Sequence, residues 1–178
     1  MKRLLALTLA LLAATAGVAG AVGIGGGVYA GWSWPIVQED VAQGTLYGLR
    51  VPVSLGALFK VEPYYMQGAL GDKEEDIGGI IYTREGFDEK GYGLNLLLAT
   101  GGPVSFFPYA GIGTTNFSRE GTDMDLTTYN VGLGLAFSPM TKLSVDIRGE
   151  VQISVDGDAS RKYGNLTVGA SYALFSLP

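Results

Sequence analysis

Thr128-Tyr129-Asn130-Val131-Gly132-Leu133-Gly134-Leu135-Ala136-Phe137-Ser138 separates by parity into two kinds of residue. Tyr129, Val131, Leu133, Leu135 and Phe137 share one parity, while Thr128, Asn130, Gly132, Gly134, Ala136 and Ser138 share the other. Successive side chains of a strand point to opposite faces, so this period of two predicts a β-strand with one greasy face and one small, polar face. The next segment repeats it, with Leu143, Val145, Ile147, Val151, Ile153 and Val155 against Lys142, Ser144, Asp146, Arg148, Glu150, Gln152 and Ser154.

Working outward, alternation bounded by turn residues gives eight segments, near 22–34, 43–54, 57–69, 89–100, 104–117, 124–138, 142–155 and 163–175. At 178 residues the chain suits a single domain. Its polar parity carries long charged side chains in mid-strand. Arg50 lies opposite Tyr47, Leu49, Val51 and Val53, and Lys60 and Glu62 lie opposite Phe59, Val61 and Tyr65. With Asp146, Arg148 and Glu150 they form three positive and three negative charges.

An eight-stranded barrel has an interior just wide enough for side chains. Filling it with every Val, Leu, Ile, Phe and Tyr of the apolar parity would crowd it, whereas Gly, Ala, Ser, Thr and six paired charges would fit. The pattern therefore predicts an all-β, eight-stranded antiparallel up-and-down transmembrane barrel, apolar outside and polar inside, whose closure leaves no edge in hydrocarbon. Tyr129 to Phe137 spans eight steps of ~3.3 Å, and a ~40° tilt brings that to ~20 Å, close to an apolar band ~25 Å tall. Trp32, Trp34, Tyr92, Tyr129 and Phe137 are expected in aromatic girdles at the two membrane interfaces.

Met1-Lys2-Arg3 precedes the apolar run from Leu4 to Ala14, and small residues follow at Ala14-Thr15-Ala16 and Ala19-Gly20-Ala21. Residues 1–21 read as a cleaved signal peptide, leaving 22–178 as the barrel, with the second of the two sites preferred. The apolar core is about half of the ~20 residues that a spanning helix needs. Cleavage removes two of the 12 Lys and Arg and none of the 17 Asp and Glu, taking the formal charge from −5 to −7.

Short turns at 54–56, 101–103 and 139–141 are expected at the periplasmic end, and longer loops at 35–42, 70–88, 118–123 and 156–162 outside. The densest acidic stretch, Asp72, Glu74, Glu75 and Asp76, falls in the longest of these loops, with Glu85, Asp88 and Glu89 following. Such a rim suits a divalent cation or a cation-bridged lipopolysaccharide, although an ordinary solvated loop has the same composition. It would repel nucleic acid.

Pro108-Tyr109-Ala110-Gly111-Ile112-Gly113, Asn130-Val131-Gly132-Leu133-Gly134-Leu135-Ala136-Phe137-Ser138-Pro139 and Leu143-Ser144-Val145-Asp146-Ile147-Arg148 together resemble the OmpA/OmpX-like outer-membrane β-barrel family. The resemblance covers essentially the whole mature chain and implies an outer-membrane location and assembly by the barrel-assembly machinery. Members commonly end on an aromatic residue, whereas this chain continues past Phe175 to Ser176-Leu177-Pro178. The resemblance also implies that an interior charge cluster plugs the lumen or gates slow ion passage.

No cofactor and no metal ligand set is expected, and a monomer is. The chain has no His and no Cys, so the usual base and nucleophile are missing, and Glu150 with Ser154 is the best remaining pair. An enzyme is not expected. The leading reading is a structural or surface-interaction protein of the envelope with a plugged lumen. A narrow gated channel and a soluble periplasmic ligand-binding barrel are the alternatives.

Overall fold

Alternation translates directly into strands. In a computed structural model, residues 22–37, 41–56, 58–98, 100, 102–119, 121–157 and 159–176 are described. The expected signal peptide and the terminal Leu177-Pro178 lie outside them.

The strands are β1 (Val22–Pro35), β2 (Gly44–Arg50), β3 (Val53–Leu55), β4 (Phe59–Leu70), β5 (Lys73–Ile77), β6 (Ile80–Arg84), β7 (Asp88–Leu98), β8 (Val104–Arg119), β9 (Thr122–Met140), β10 (Leu143–Asp156) and β11 (Ala159–Ser176). Neighbours pair in the order β11-β10-β9-β8-β7-β4-β2-β1, with β3 continuing the β2 position. The ring closes where β1 meets β11, antiparallel from Gly23 opposite Ser176 to Pro35 opposite Tyr163. Counting β2 and β3 as one wall strand, this is a closed eight-stranded antiparallel barrel.

The interruption between β2 and β3 has a local cause. Pro52 has no N–H to give, and Pro63 on the neighbouring strand lies opposite the same gap, so the ladder lacks donors on both sides. Val51 N donating to Pro63 O at 2.9 Å and Gly25 N donating to Pro52 O at 2.9 Å hold the gap closed.

The wall is inverted relative to a soluble protein. Val131, Leu133, Leu135 and Phe137 are exposed on its outside, whereas Thr128, Asn130, Asp146, Arg148 and Gln152 are buried within. Outward apolar residues stop at the level of Ile112 and Tyr129; beyond them β8 and β9 present Thr114, Asn116, Asp125 and Thr127, with Asn116 donating to Asp125 at 2.9 Å.

Two expected outer loops are not loops. Arg119 pairs with Thr122 and Asp156 with Ala159, so 118–123 and 156–162 are the ends of long hairpins turning over two residues. Gly121 and Gly157 supply the positive φ that such tight turns require, at 79° and 53°. The 70–88 connection contains a separate two-stranded hairpin, β5–β6.

The interior also differs from the expected mixture of charges and small side chains. Phe107 and Tyr109 of β8 point inward and pack with Leu97 and Ala136. They lie over the glycines of β9: a Cβ at Gly132 would stand 2.5 Å from Tyr109 Cζ, and one at Gly134 would overlap the Phe107 ring. Those glycines are small because the rings facing them are large.

Substituting Leu133, mid-band and facing out, with Arg is expected to cost about 2–4 kcal/mol in lipid vesicles. The same change at Asp123, above the band, should stay within about 0.5 kcal/mol. Urea unfolding midpoints of the inserted barrel check both.

Candidate functional site: the charged lumen

Four of the six expected lumen charges meet in an alternating ring. Arg50 and Arg148 reach across from β2 and β10, and Glu62 and Asp146 stand between them. Arg50 Nη1 donates to Asp146 Oδ1 at 3.1 Å, Arg50 Nη2 also donates to Asp146 Oδ2, and Arg50 Nε lies 4.0 Å from Glu62. Arg148 Nη1 and Nη2 donate to the two Glu62 oxygens at 2.6 and 3.0 Å, and its Nε donates to Asp146 Oδ1 at 2.9 Å. Arg50 Nε further donates to Ser171 Oγ at 3.2 Å.

All four residues are at least 93% buried, so each charge depends on the others for its solvation. Forked guanidinium-to-carboxylate contacts offset that desolvation, and the quartet sums to zero. The Arg148 guanidinium also lies over the rings of Phe107 and Tyr109, at 5.1 and 5.5 Å, which gives it two cation–π neighbours.

The other two charges are not in the ring. Glu150 is held by neutral donors: Tyr109 Oη at 3.0 Å, Asn130 Nδ2 at 3.1 Å and Asn165 Nδ2 at 2.9 Å. Lys60 is half-buried near the short-turn end, and no ion pair joins it to a carboxylate among the described residues. The balanced set of six is thus a balanced four, one amide-bound carboxylate and one outlying lysine. Glu150 does not meet Ser154, whose Oγ shares a hydrogen bond with Thr128 Oγ1 at 2.9 Å.

The lumen is obstructed rather than open. A cavity of about 30 Å³ lies beside Tyr29, Tyr64 and Glu150, and one of about 60 Å³ lies toward Lys60 and Ser105. Glu62 and Arg148 wall both, so the ring separates them. Each has room for a few waters at most.

At the opposite end, residues expected in loops fold into the barrel. Val41, Leu70 and Phe87 pack with Phe117, Leu126 and Tyr163 as an apolar lid. Phe87 meets Phe117 edge-on at 6.3 Å, Phe117 stacks on Tyr163 at 5.8 Å, and Arg119 and Arg161 lie over Phe87 at 4.8 and 4.4 Å. Leu70 N donating to Phe87 O at 2.8 Å and Ala42 N donating to Gly71 O at 3.0 Å tie the entering loops together. Glu89, read with the outer acidic stretch, is instead buried inside at 2% exposure, because it shares the inward parity of Gly91, Asn95 and Leu97.

The acidic residues sit on β5 or, for Asp72, just before it, and most of them are engaged locally. Asp72 accepts from Gly86 N at 2.8 Å, Asp76 from Gly79 N at 2.8 Å, and Glu75 pairs with Arg84 at 3.3 Å. Glu74 is exposed. Among the described residues no group of three or more His, Cys, Asp or Glu is placed to hold a metal ion.

Trp32, Trp34, Tyr92, Tyr129 and Phe137 all project outward, 43–61% exposed. The wall also carries Tyr47 and Tyr65, which flank a polar Gln67: Tyr47 Oη donates to Gln67 Oε1 at 2.7 Å, and Gln67 Nε2 donates to Tyr65 Oη at 2.5 Å. Their outward parity was visible in the sequence, but their shared partner depends on the pairing of β2 with β4.

No protein-family model matches this chain, and no curated protein matches it in sequence. Solved structures do. Neisserial surface protein A superposes with a TM-score of 0.61 at 11% identity, covering 86% of this chain and 98% of that one. A major outer membrane protein of Thermus thermophilus gives 0.59 at 14%, over 86% and 99%. OprG of Pseudomonas aeruginosa gives 0.54 at 14%, over 88% and 96%. At such identities the likeness is one of fold: that of the small eight-stranded outer-membrane β-barrels, consistent with an OmpA/OmpX-like architecture.

Removing one member of the ring leaves the others uncompensated. Arg148→Met is expected to destabilise the vesicle-inserted barrel by about 3–5 kcal/mol, since Glu62 and Asp146 stay buried without it. Adding Glu62→Gln should restore more than about 0.5 kcal/mol, the signature of direct coupling. A double-mutant cycle by denaturant unfolding measures it.

Proposed function

We propose that this chain is a small outer-membrane β-barrel with a structural or surface-interaction role in the cell envelope, its lumen plugged by paired charges. The observation that carries this reading is the obstruction of the lumen by the Arg50–Asp146–Arg148–Glu62 ring, with Phe107 and Tyr109 packed against Arg148 and the Phe87–Phe117–Tyr163 lid at the outer end.

Membrane placement is supported by the inverted wall and by neighbours that are themselves outer-membrane barrels. Within that placement the exposed Trp32, Trp34, Tyr92 and Tyr129 mark the outer interface and Phe137 the periplasmic one. Export by a cleaved signal peptide and assembly by the barrel-assembly machinery belong to the same proposal.

A surface-interaction role is supported by the β5–β6 hairpin. Ile77, Ile80, Ile81 and Tyr82 are 50–65% exposed there, beside the acidic residues. Exposed apolar side chains grouped at one tip favour contact with another surface. A divalent cation at this rim would bridge single carboxylates such as Glu74 to lipopolysaccharide phosphate, not occupy a closed cage.

Two measurements test the proposal. The protein should fractionate with outer membranes and leave them only with detergent; release by osmotic shock would favour the soluble periplasmic alternative. In planar bilayers the heat-modifiable barrel should give no current. Single-channel steps abolished by Arg148→Ala would establish the gated channel in its place.

A further inference from the structure

On the outside of the wall, the run of large apolar residues is broken beside β1. Gly26 faces outward with nothing within 4 Å of where a Cβ would stand, and Ala170 nearby adds only a methyl. The result is a groove of about 490 Å³ floored by Gly26 and walled by Val28, Leu49, Val51, Leu143 and Tyr172. It lies toward the short-turn end of the barrel.

A second pocket of about 390 Å³ adjoins it at the lumen mouth, sharing Leu143, Ser171 and Tyr172. Its chemistry is the opposite. Lys60 and Lys142 line it together with the hydroxyls of Ser54, Ser138, Thr141 and Ser144, and among the described residues no carboxylate does. In a chain carrying 17 acidic and 12 basic residues, this is a local cationic site. The half-buried Lys60, which stands outside the ion-paired ring, belongs to it.

We propose that groove and mouth together bind one anionic phospholipid of the periplasmic leaflet, its phosphate between Lys60 and Lys142 and one acyl chain over Gly26. The inference rests on the membrane placement argued above. Both volumes lie in the ~300–1,000 Å³ range of small-molecule sites. Lysine ammonium and serine hydroxyl groups are donors that phosphate oxygens can fully use, and the glycine floor admits a chain where a larger residue would exclude it. Leu143 and Tyr172 sit where headgroup and chain would join, as suits an aromatic at the interface.

The full chain, refolded into mixed micelles of phosphatidylglycerol and phosphatidylcholine in equal amounts, should retain one phosphatidylglycerol in native mass spectrometry. Lys60→Gln and Lys142→Gln should each lower its preference over phosphatidylcholine by about five-fold. Gly26→Leu, at a position with open space, should lower retention of both lipids while heat-modifiable migration is unchanged. Equal retention of the two lipids by the unaltered barrel overturns the proposal, as does a preference that survives the double lysine change or a retention of lipid that Gly26→Leu leaves unchanged. Displacement of the lipid by inorganic phosphate alone overturns the acyl-chain assignment. Vesicle insertion keeps the two readings apart: a chain that does not insert sinks the membrane placement and the site with it, whereas an inserted barrel without lipid preference sinks only the site.

Discussion

The pairing of β1 with β11 is the constraint from which the rest follows. In hydrocarbon a sheet edge would leave a row of N–H and C=O groups without partners, each costing several kcal/mol, so the chain must return to its first strand. Once it does, one parity of every strand is committed to the outside and the other to a narrow interior. The gap at Pro52 and Pro63 is tolerated because it falls within a closed wall, bridged by Val51 and Gly25.

That interior is filled in layers of different chemistry. Two arginines and two carboxylates cross the middle, where each is solvated chiefly by the others. Aromatic rings flank them, and Arg148 lies against Phe107 and Tyr109, so the polar and apolar layers are in contact. Glu150 sits above the ring among amide and phenol donors, a different solution to the same desolvation problem. A lumen assembled this way leaves room for a few waters and little else.

The outer end follows a related logic. Val41 and Phe87 come from connections and Leu70 from the end of β4, and they turn inward because the upper lumen offers Phe117, Leu126 and Tyr163 to pack against. Among the described residues outside the lid, the β5–β6 hairpin carries the exposed Ile77, Ile80, Ile81 and Tyr82.

The period-two pattern alone determined the fold class, the eight wall strands and which face meets lipid, because strand parity is a local property that hydrophobicity records residue by residue. It likewise put Arg50, Glu62, Asp146, Arg148 and Glu150 inside and the five aromatics outside. Which charges pair was a matter of strand order and stagger: Arg50 and Asp146 are 96 residues apart and meet only because the barrel closes. The β8 run Phe106-Phe107-Pro108-Tyr109 was ambiguous, having aromatics in both parities; only its register against Gly132 and Gly134 shows which rings the interior can hold. The same is true of the lid and of the separation of Lys60 from the ring: each depends on how much space the opposite wall leaves, and no single strand encodes that.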